Sequence, residues 1–369
     1  MVSAPGPILR IPLLVISFLA LLLGVGAGLQ RMGWTISALN PALSIQHGAL
    51  MISGFFGTLI SLERAVALGR LWVYGAPALS ALASLLLIST GIGPYPVLLY
   101  LLASLILSAA SWQVYARHRA LFTAVLAIAA SCWAVGNAAW LAGAAPLQVT
   151  LWWLGFLILT IAGERLELSR FLAPPASAQK YFLAVTAILL ATLAISFQAP
   201  VPGTIGFGAS LILLTLWLAR YDIAKRTVRM PGLTRFIAIC LLSAYGWLAL
   251  SGLIMVTRGG LQLGTLSYDA ALHGITLGFV FGMVFGHAPI ILPSVLKLKV
   301  VYSLVFYLHL ALLQASLLLR VFGDLGEIVE LRSWGGLLNA VAILVFMVNT
   351  LTGVLRGRNK GRTLRRPSR

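Results

Sequence analysis

The chain is short of acid. Only 8 of its 369 residues are Asp or Glu, against 26 Lys and Arg, and charged residues make up 9% of the total. Soluble domains carry about 25%, so an ordinary water-soluble globule is excluded. Cysteine is almost missing too. Cys132 and Cys240 are the two present, each inside an apolar run and neither with a second cysteine at ligand spacing. That excludes a disulfide framework and a thiolate metal site, and leaves both as small apolar packing residues. Long polar stretches are also absent. The longest loops, near 168–180 and 221–235, are too short to form a separate soluble domain.

What is there is apolar. Hydrophobic residues reach 60%, in runs near the roughly 17–25 residues that cross a ~30 Å hydrocarbon core as helix. Twelve such runs are expected, at 11–29, 42–62, 72–90, 97–114, 121–142, 147–167, 181–197, 203–219, 236–256, 268–292, 300–321 and 333–355. The pattern predicts an all-α polytopic membrane protein, with one twelve-helix domain over 1–355 and a basic tail over 356–369. The links Gly91-Ile92-Gly93-Pro94-Tyr95-Pro96 and Gln198-Ala199-Pro200-Val201-Pro202-Gly203 read as tight turns between antiparallel helices.

The formal charge of +18 is a topology signal rather than the footprint of a nucleic acid. When sides alternate along twelve spans, all but four of the 26 basic residues share a side with both termini, Arg10, Lys297, Lys299 and the tail included. Arg31, Arg258, Arg320 and Arg332 fall opposite. The positive-inside rule makes the basic side cytoplasmic, so both termini are expected there, in a bacterial-type inner (plasma) membrane. The tail then reads as an orientation signal and a contact for anionic lipid. Gly24 to Gly28 loosely resemble a cleavage region, but a retained first span fits the alternation better.

Five histidines are present. His118, between Arg117 and Arg119, reads as solvated. His273 and His287 lie in one run, and the helix between them rises about 21 Å and returns to within about 40° of its starting direction. His47 and His273 each sit about five residues below the outer ends of their spans and form an outer pair by depth. His287 and His309 form a second pair about 20 Å nearer the cytoplasmic side. Neutral imidazole suits a haem iron or a copper ion, and ionisable groups inside a membrane cost enough to be functional candidates.

Asp269, one turn before His273, is either an acceptor that orients the imidazole or an acid favourably set at a helix start. Gly274, Gly278, Gly282 and Gly286 form a strip without side chains, suited either to a flat macrocycle or to plain helix packing. Pro289 and Pro293 interrupt the hydrogen-bond ladder near the inner level, shaping a site or ending the helix. Glu63-Arg64 and Glu164-Arg165 suggest a mutual ion pair at two cytoplasmic helix ends, with proton entry as the other reading. A faint internal echo links His47-Gly48 and Gly54-Phe55-Phe56-Gly57 to His273-Gly274 and Gly278-Phe279-Val280-Phe281-Gly282.

At His47-Gly48-Ala49-Leu50-Met51 with Gly54-Phe55, and at His273-Gly274-Ile275-Thr276-Leu277-Gly278 with Gly282-Met283, the chain resembles the NnrS-like family of haem- and copper-containing membrane proteins, which are twelve-helix proteins linked to nitric oxide stress. The layout is also similar to the catalytic subunit of haem-copper oxidases and nitric oxide reductases, with a low-spin haem between outer-side histidines of helices two and ten. The resemblance implies haem and/or copper held by His47 and His273; by depth alone, His287 and His309 remain a second candidate metal pair. Helices six and seven lack the histidines of an oxygen- or nitric oxide-reducing centre, so respiratory catalysis is not implied. The rival class is a twelve-helix secondary transporter of a small solute or metal. A scaffold without ligand needs no histidine pairs.

Overall fold

A chain this apolar has no water to satisfy its backbone within a membrane, and the α-helix is the one open-chain solution. The computed structural model describes residues 6–296 and 298–363, and every element among them is helical. Lys297 and the last basic residues of the tail, Arg365, Arg366 and Arg369, lie outside the described residues. Among the described residues, twelve helices are long and apolar enough to cross a membrane. They are numbered here as spans 1–12: Arg10–Arg31, Pro41–Leu68, Leu71–Thr90, Pro94–Arg117, Leu121–Leu141, Pro146–Leu172, Ala176–Ile195, Pro200–Tyr221, Leu233–Thr257, Leu266–Pro293, Phe306–Leu325 and Val329–Gly357.

The expected twelve runs are all present, and both Gly/Pro links are turns. Spans 4, 6 and 8 open on Pro94, Pro146 and Pro200, where the missing N–H is no loss and φ is already helical. Spans 2 and 6 outrun their apolar stretches, because backbone bonding continues until something stops it. For span 2 the stop is Gly69, left-handed at φ 62°, a conformation that costs glycine little. Pro289 and Pro293 do not break span 10, whose helix runs through both to Leu296. Its end is tied to span 1, where Arg10 Nη1 donates to the Val295 carbonyl at 2.8 Å.

Neighbouring spans joined by short turns pack side by side, notably 3 with 4, 5 with 6, 7 with 8 and 11 with 12. Spans 2, 6 and 10 are the most enclosed, with 67%, 72% and 67% of their apolar windows buried, against 39% for spans 1, 4, 7 and 12. The histidine-bearing spans 2 and 10 therefore occupy the middle of the bundle. Cys132 and Cys240 are buried free thiols.

The glycine strip of span 10 faces span 9. A Cβ at Gly274 would collide with Ser251 and one at Gly278 with Trp247, while Gly282 and Gly286 lie against Ala244 and Cys240. The macrocycle expectation for Gly274 and Gly278 is corrected accordingly: the strip buys close helix approach, as small-residue repeats do in membranes. At Gly278 the obstructing atoms include Trp247 Cβ, which cannot swing away without the backbone. Gly278→Ala is expected to cost about 1–3 kcal/mol, the usual range for overpacking, read as a lower unfolding temperature in detergent. Gly246→Ala, where a Cβ meets nothing within 4 Å, is the matched control and should leave stability unchanged.

Candidate functional site

Spans 2 and 10 are built alike around their histidines. Span 2 enters through a 3-10 turn, Pro41–Gln46, opened by the Asn40 side chain accepting from the Ala42 N–H at 3.0 Å. His47 follows, and then a π-helix, Leu50–Gly57. In span 10 the Thr265 hydroxyl caps the helix by accepting from Tyr268 N–H, His273 closes the first α-helical piece, and a second π-helix, Gly274–Phe281, begins at the next residue. The faint sequence echo thus has a structural form. π-Helical turns are poorly bonded and concentrate at functional sites, and here two of eight residues each start within three residues of a histidine.

The two imidazoles meet. Their ring centres are 6.1 Å apart with planes inclined by 26°, and both line a cavity of about 570 Å³. His47 Nδ1 donates to the Gly24 carbonyl at 2.7 Å, and His273 Nδ1 to the Asp269 carbonyl at 2.9 Å. With Nδ1 held as the donor, each ring presents Nε2 as a lone-pair site, the tautomer a metal-ligating histidine adopts. Neither Nε2 has a hydrogen-bond partner among the described residues.

Span 1 supplies the seat. A Cβ at Gly28 would stand 2.8 Å from His47 Cε1 and 2.9 Å from its Nδ1, so the ring fits only because Gly28 has no side chain. The segment with a passing likeness to a cleavage region is thus part of the site. Gly28→Ala is expected to push the His47 ring off Gly24 and to weaken ligand binding at least tenfold without unfolding the bundle. A binding titration on folded protein checks it, and unchanged affinity would count against the seat.

One wall is charged. Asp269 accepts from Arg320 through Nε at 3.0 Å and Nη2 at 2.9 and 3.1 Å, and its Oδ1 lies 3.3 Å from His273 Nδ1. Arg332 Nε is 2.9 Å from buried Asp324 and 3.7 Å from Asp269. Asp269 therefore contacts His273 through both its backbone and its carboxylate, and a two-pronged arginine fixes that carboxylate. Phe56 and Phe281 line the cavity edge-on to one another at 5.3 Å, and Trp140 and Trp153 do the same at 5.3 Å.

The inner histidines are not brought together. His287 donates from Nδ1 to Met283 O at 2.8 Å, and its Nε2 lies 3.5 Å from Arg165 Nη1. A permanent cation at that distance disfavours a metal ion there. His309 is fully buried among Phe236, Phe285, Phe306 and Phe346, with Asn349 Nδ2 3.2 Å from its Nδ1. The depth-based pairing of His287 with His309 as metal ligands is corrected: span 11 begins at Phe306 and not near residue 300, which leaves His309 in its first turn, and no contact joins the two rings among the described residues. No group of three or more His, Cys, Asp or Glu side chains gathers with metal-binding geometry among the described residues. His118 is exposed, as expected.

Arg165 also departs from expectation. Its partner is Asp222, with Nε to Oδ2 at 2.7 Å and Nη2 to Oδ1 at 3.1 Å, both residues being buried. Among the described residues no ion pair joins Glu63-Arg64 to Glu164-Arg165.

Sequence reasoning missed the arginines. Of the four basic residues left opposite the crowded side, Arg31, Arg320 and Arg332 all line the one cavity. The signal was present in the charge count: a residue that breaks the side bias has a local reason to be where it is.

Fold and site define a polytopic helical membrane protein with a paired-imidazole cavity between its central spans. The chain belongs to the family described as a domain of unknown function, DUF8744, which matches residues 10–355 and so takes in nearly the whole helical bundle. No curated protein and no solved structure matches it.

Proposed function

We propose that this protein binds a haem between His47 and His273, in a plasma membrane with both termini cytoplasmic, and serves redox or nitric oxide-linked chemistry. The observation that carries the reading is the pair of imidazoles 6.1 Å apart in a cavity, each with Nδ1 tied to a carbonyl and Nε2 left over. The two unopposed imidazoles of His47 and His273 would hold a haem iron between them, whereas copper sites commonly recruit further ligands. The cavity volume of about 570 Å³ falls in the range of sites for organic ligands and far exceeds what a bare copper ion needs. A bound haem supplies reversible one-electron chemistry at its iron. The protein's part is to hold the ligand: Gly24 and Asp269 fix the imidazole tautomers, Arg320 fixes Asp269, and the aromatic residues exclude water.

The test is a reduced-minus-oxidised visible spectrum with metal analysis of detergent-purified protein, expressed with ample haem and copper. A Soret band with about one haem per chain is expected. Stoichiometric copper without haem would replace haem by copper at the same pair. Colourless, metal-free protein would sink the reading and favour the second one, a secondary transporter of a small solute or metal, which the same polar cavity inside a twelve-helix bundle supports. Such a protein would show solute-dependent thermal stabilisation instead.

A further inference from the structure

We infer that the cavity selects a planar ligand bearing carboxylate groups, and that Arg31 is the residue that receives one of them. The inference rests on reading the cavity as a ligand site and names the ligand's chemistry. Its starting point is a charge balance. The cavity lining contains three arginines, Arg31, Arg320 and Arg332, and one acid, Asp269. Arg320 is matched by Asp269 and Arg332 by Asp324 behind the wall. Arg31 has no hydrogen bond or ion pair among the described residues, and it stands alone as the cavity's unmatched charge.

A charge without a protein partner is answered by solvent or by a ligand. Water answers it partly, because Arg31 is exposed. A carboxylate answers it better, since the planar guanidinium offers two parallel N–H donors of the right spacing. The position is favourable for a cation even without ligand, as Arg31 lies in the last turn of its helix, where the macrodipole is negative. That accounts for the residue being tolerated there. It does not account for three of four off-side arginines facing one cavity, two of them neutralised and one not.

The remaining lining indicates the rest of the ligand. Trp140 and Tyr268 offer part-exposed aromatic surface, with Trp153, Phe56 and Phe281 buried behind the lining, which favours a flat, conjugated body. The ligand is therefore amphipathic: an apolar plane among the rings with acid groups turned to Arg31, while Arg320 and Arg332 remain engaged with their aspartates.

The experiment uses the full chain in detergent, freed of bound cofactor, and two metal-free probes: protoporphyrin IX, with two carboxylates, and its dimethyl ester, with none. Binding is followed by quenching of tryptophan fluorescence, so no metal ligation is required. The acid is expected to bind about ten- to hundredfold more tightly than the ester, as for one hydrogen-bonded charged group. Arg31→Ala should erase that preference and Arg31→Lys should keep part of it, while Arg258→Ala, off the cavity, should change nothing.

Equal binding of acid and ester, an undiminished preference in Arg31→Ala, or no binding of either probe would overturn the inference. The outcomes separate from those of the haem reading. A histidine-dependent Soret band without acid preference removes only the role of Arg31. An Arg31-dependent acid preference in a protein whose histidines never ligate iron removes only the metal.

Discussion

His47→Ala and His273→Ala are each expected to lose the Soret band of the purified protein, with haem content falling at least tenfold, while His287→Ala and His309→Ala should keep it. The expectation follows from how the four imidazoles are held. The outer rings share one cavity, with Nε2 of each unclaimed. The inner rings are kept apart: His287 is held by Arg165 and Met283, and His309, bonded through Nδ1 to Asn349, has its unpartnered Nε2 walled in among four phenylalanines instead of opening on the cavity. Loss of either outer ring would leave a haem with one protein ligand in place of two, so a residual band in a single variant should be shifted in wavelength, and the double variant should show none. The measurement is haem per chain against protein concentration, with size-exclusion profiles confirming that each variant is folded. A full band surviving in His47→Ala/His273→Ala would place the haem elsewhere.

Asp222→Ala should unfold the protein far more readily than any other single change on the basic half. Its carboxylate is 1% exposed and accepts two hydrogen bonds from Arg165, itself 4% exposed, and a third from the Ala224 N–H at 2.6 Å. Removing one partner of a buried ion pair strands the other charge and costs about 3–5 kcal/mol. Thermal unfolding in detergent reads the loss directly. Arg165→Met/Asp222→Asn removes both charges and keeps the acceptor for Ala224, so it should recover most of the stability. If that double variant proves as weak as Asp222→Ala, the burden lies in packing or in His287, which Arg165 also approaches, rather than in an unpaired charge.

The histidine depths were readable because rise per residue is constant along a helix. Counting from span ends put His47 and His273 at one level, and they meet there. The same count put His287 and His309 at one level, and they do not meet. Depth is one coordinate of three. The rotation of each helix about its axis is set by what it packs against, and for span 10 that is span 9: Trp247 and Ser251 take the glycine face, which leaves His273 turned to the cavity. No pattern within residues 268–292 indicates that partner. Gly28 was equally out of reach, because its role depends on an imidazole 19 positions further along the chain.

By itself, the sequence determined the solvent of this protein, its helix count and its charged side, because these follow from the length of apolar runs and the placement of Lys and Arg, properties local to each segment. Tertiary structure alone decided which imidazoles face one another, which arginines are matched and which glycines admit a neighbour. Those depend on contacts between spans far apart in sequence, where side-chain packing sets the azimuth of each helix and hydropathy is silent.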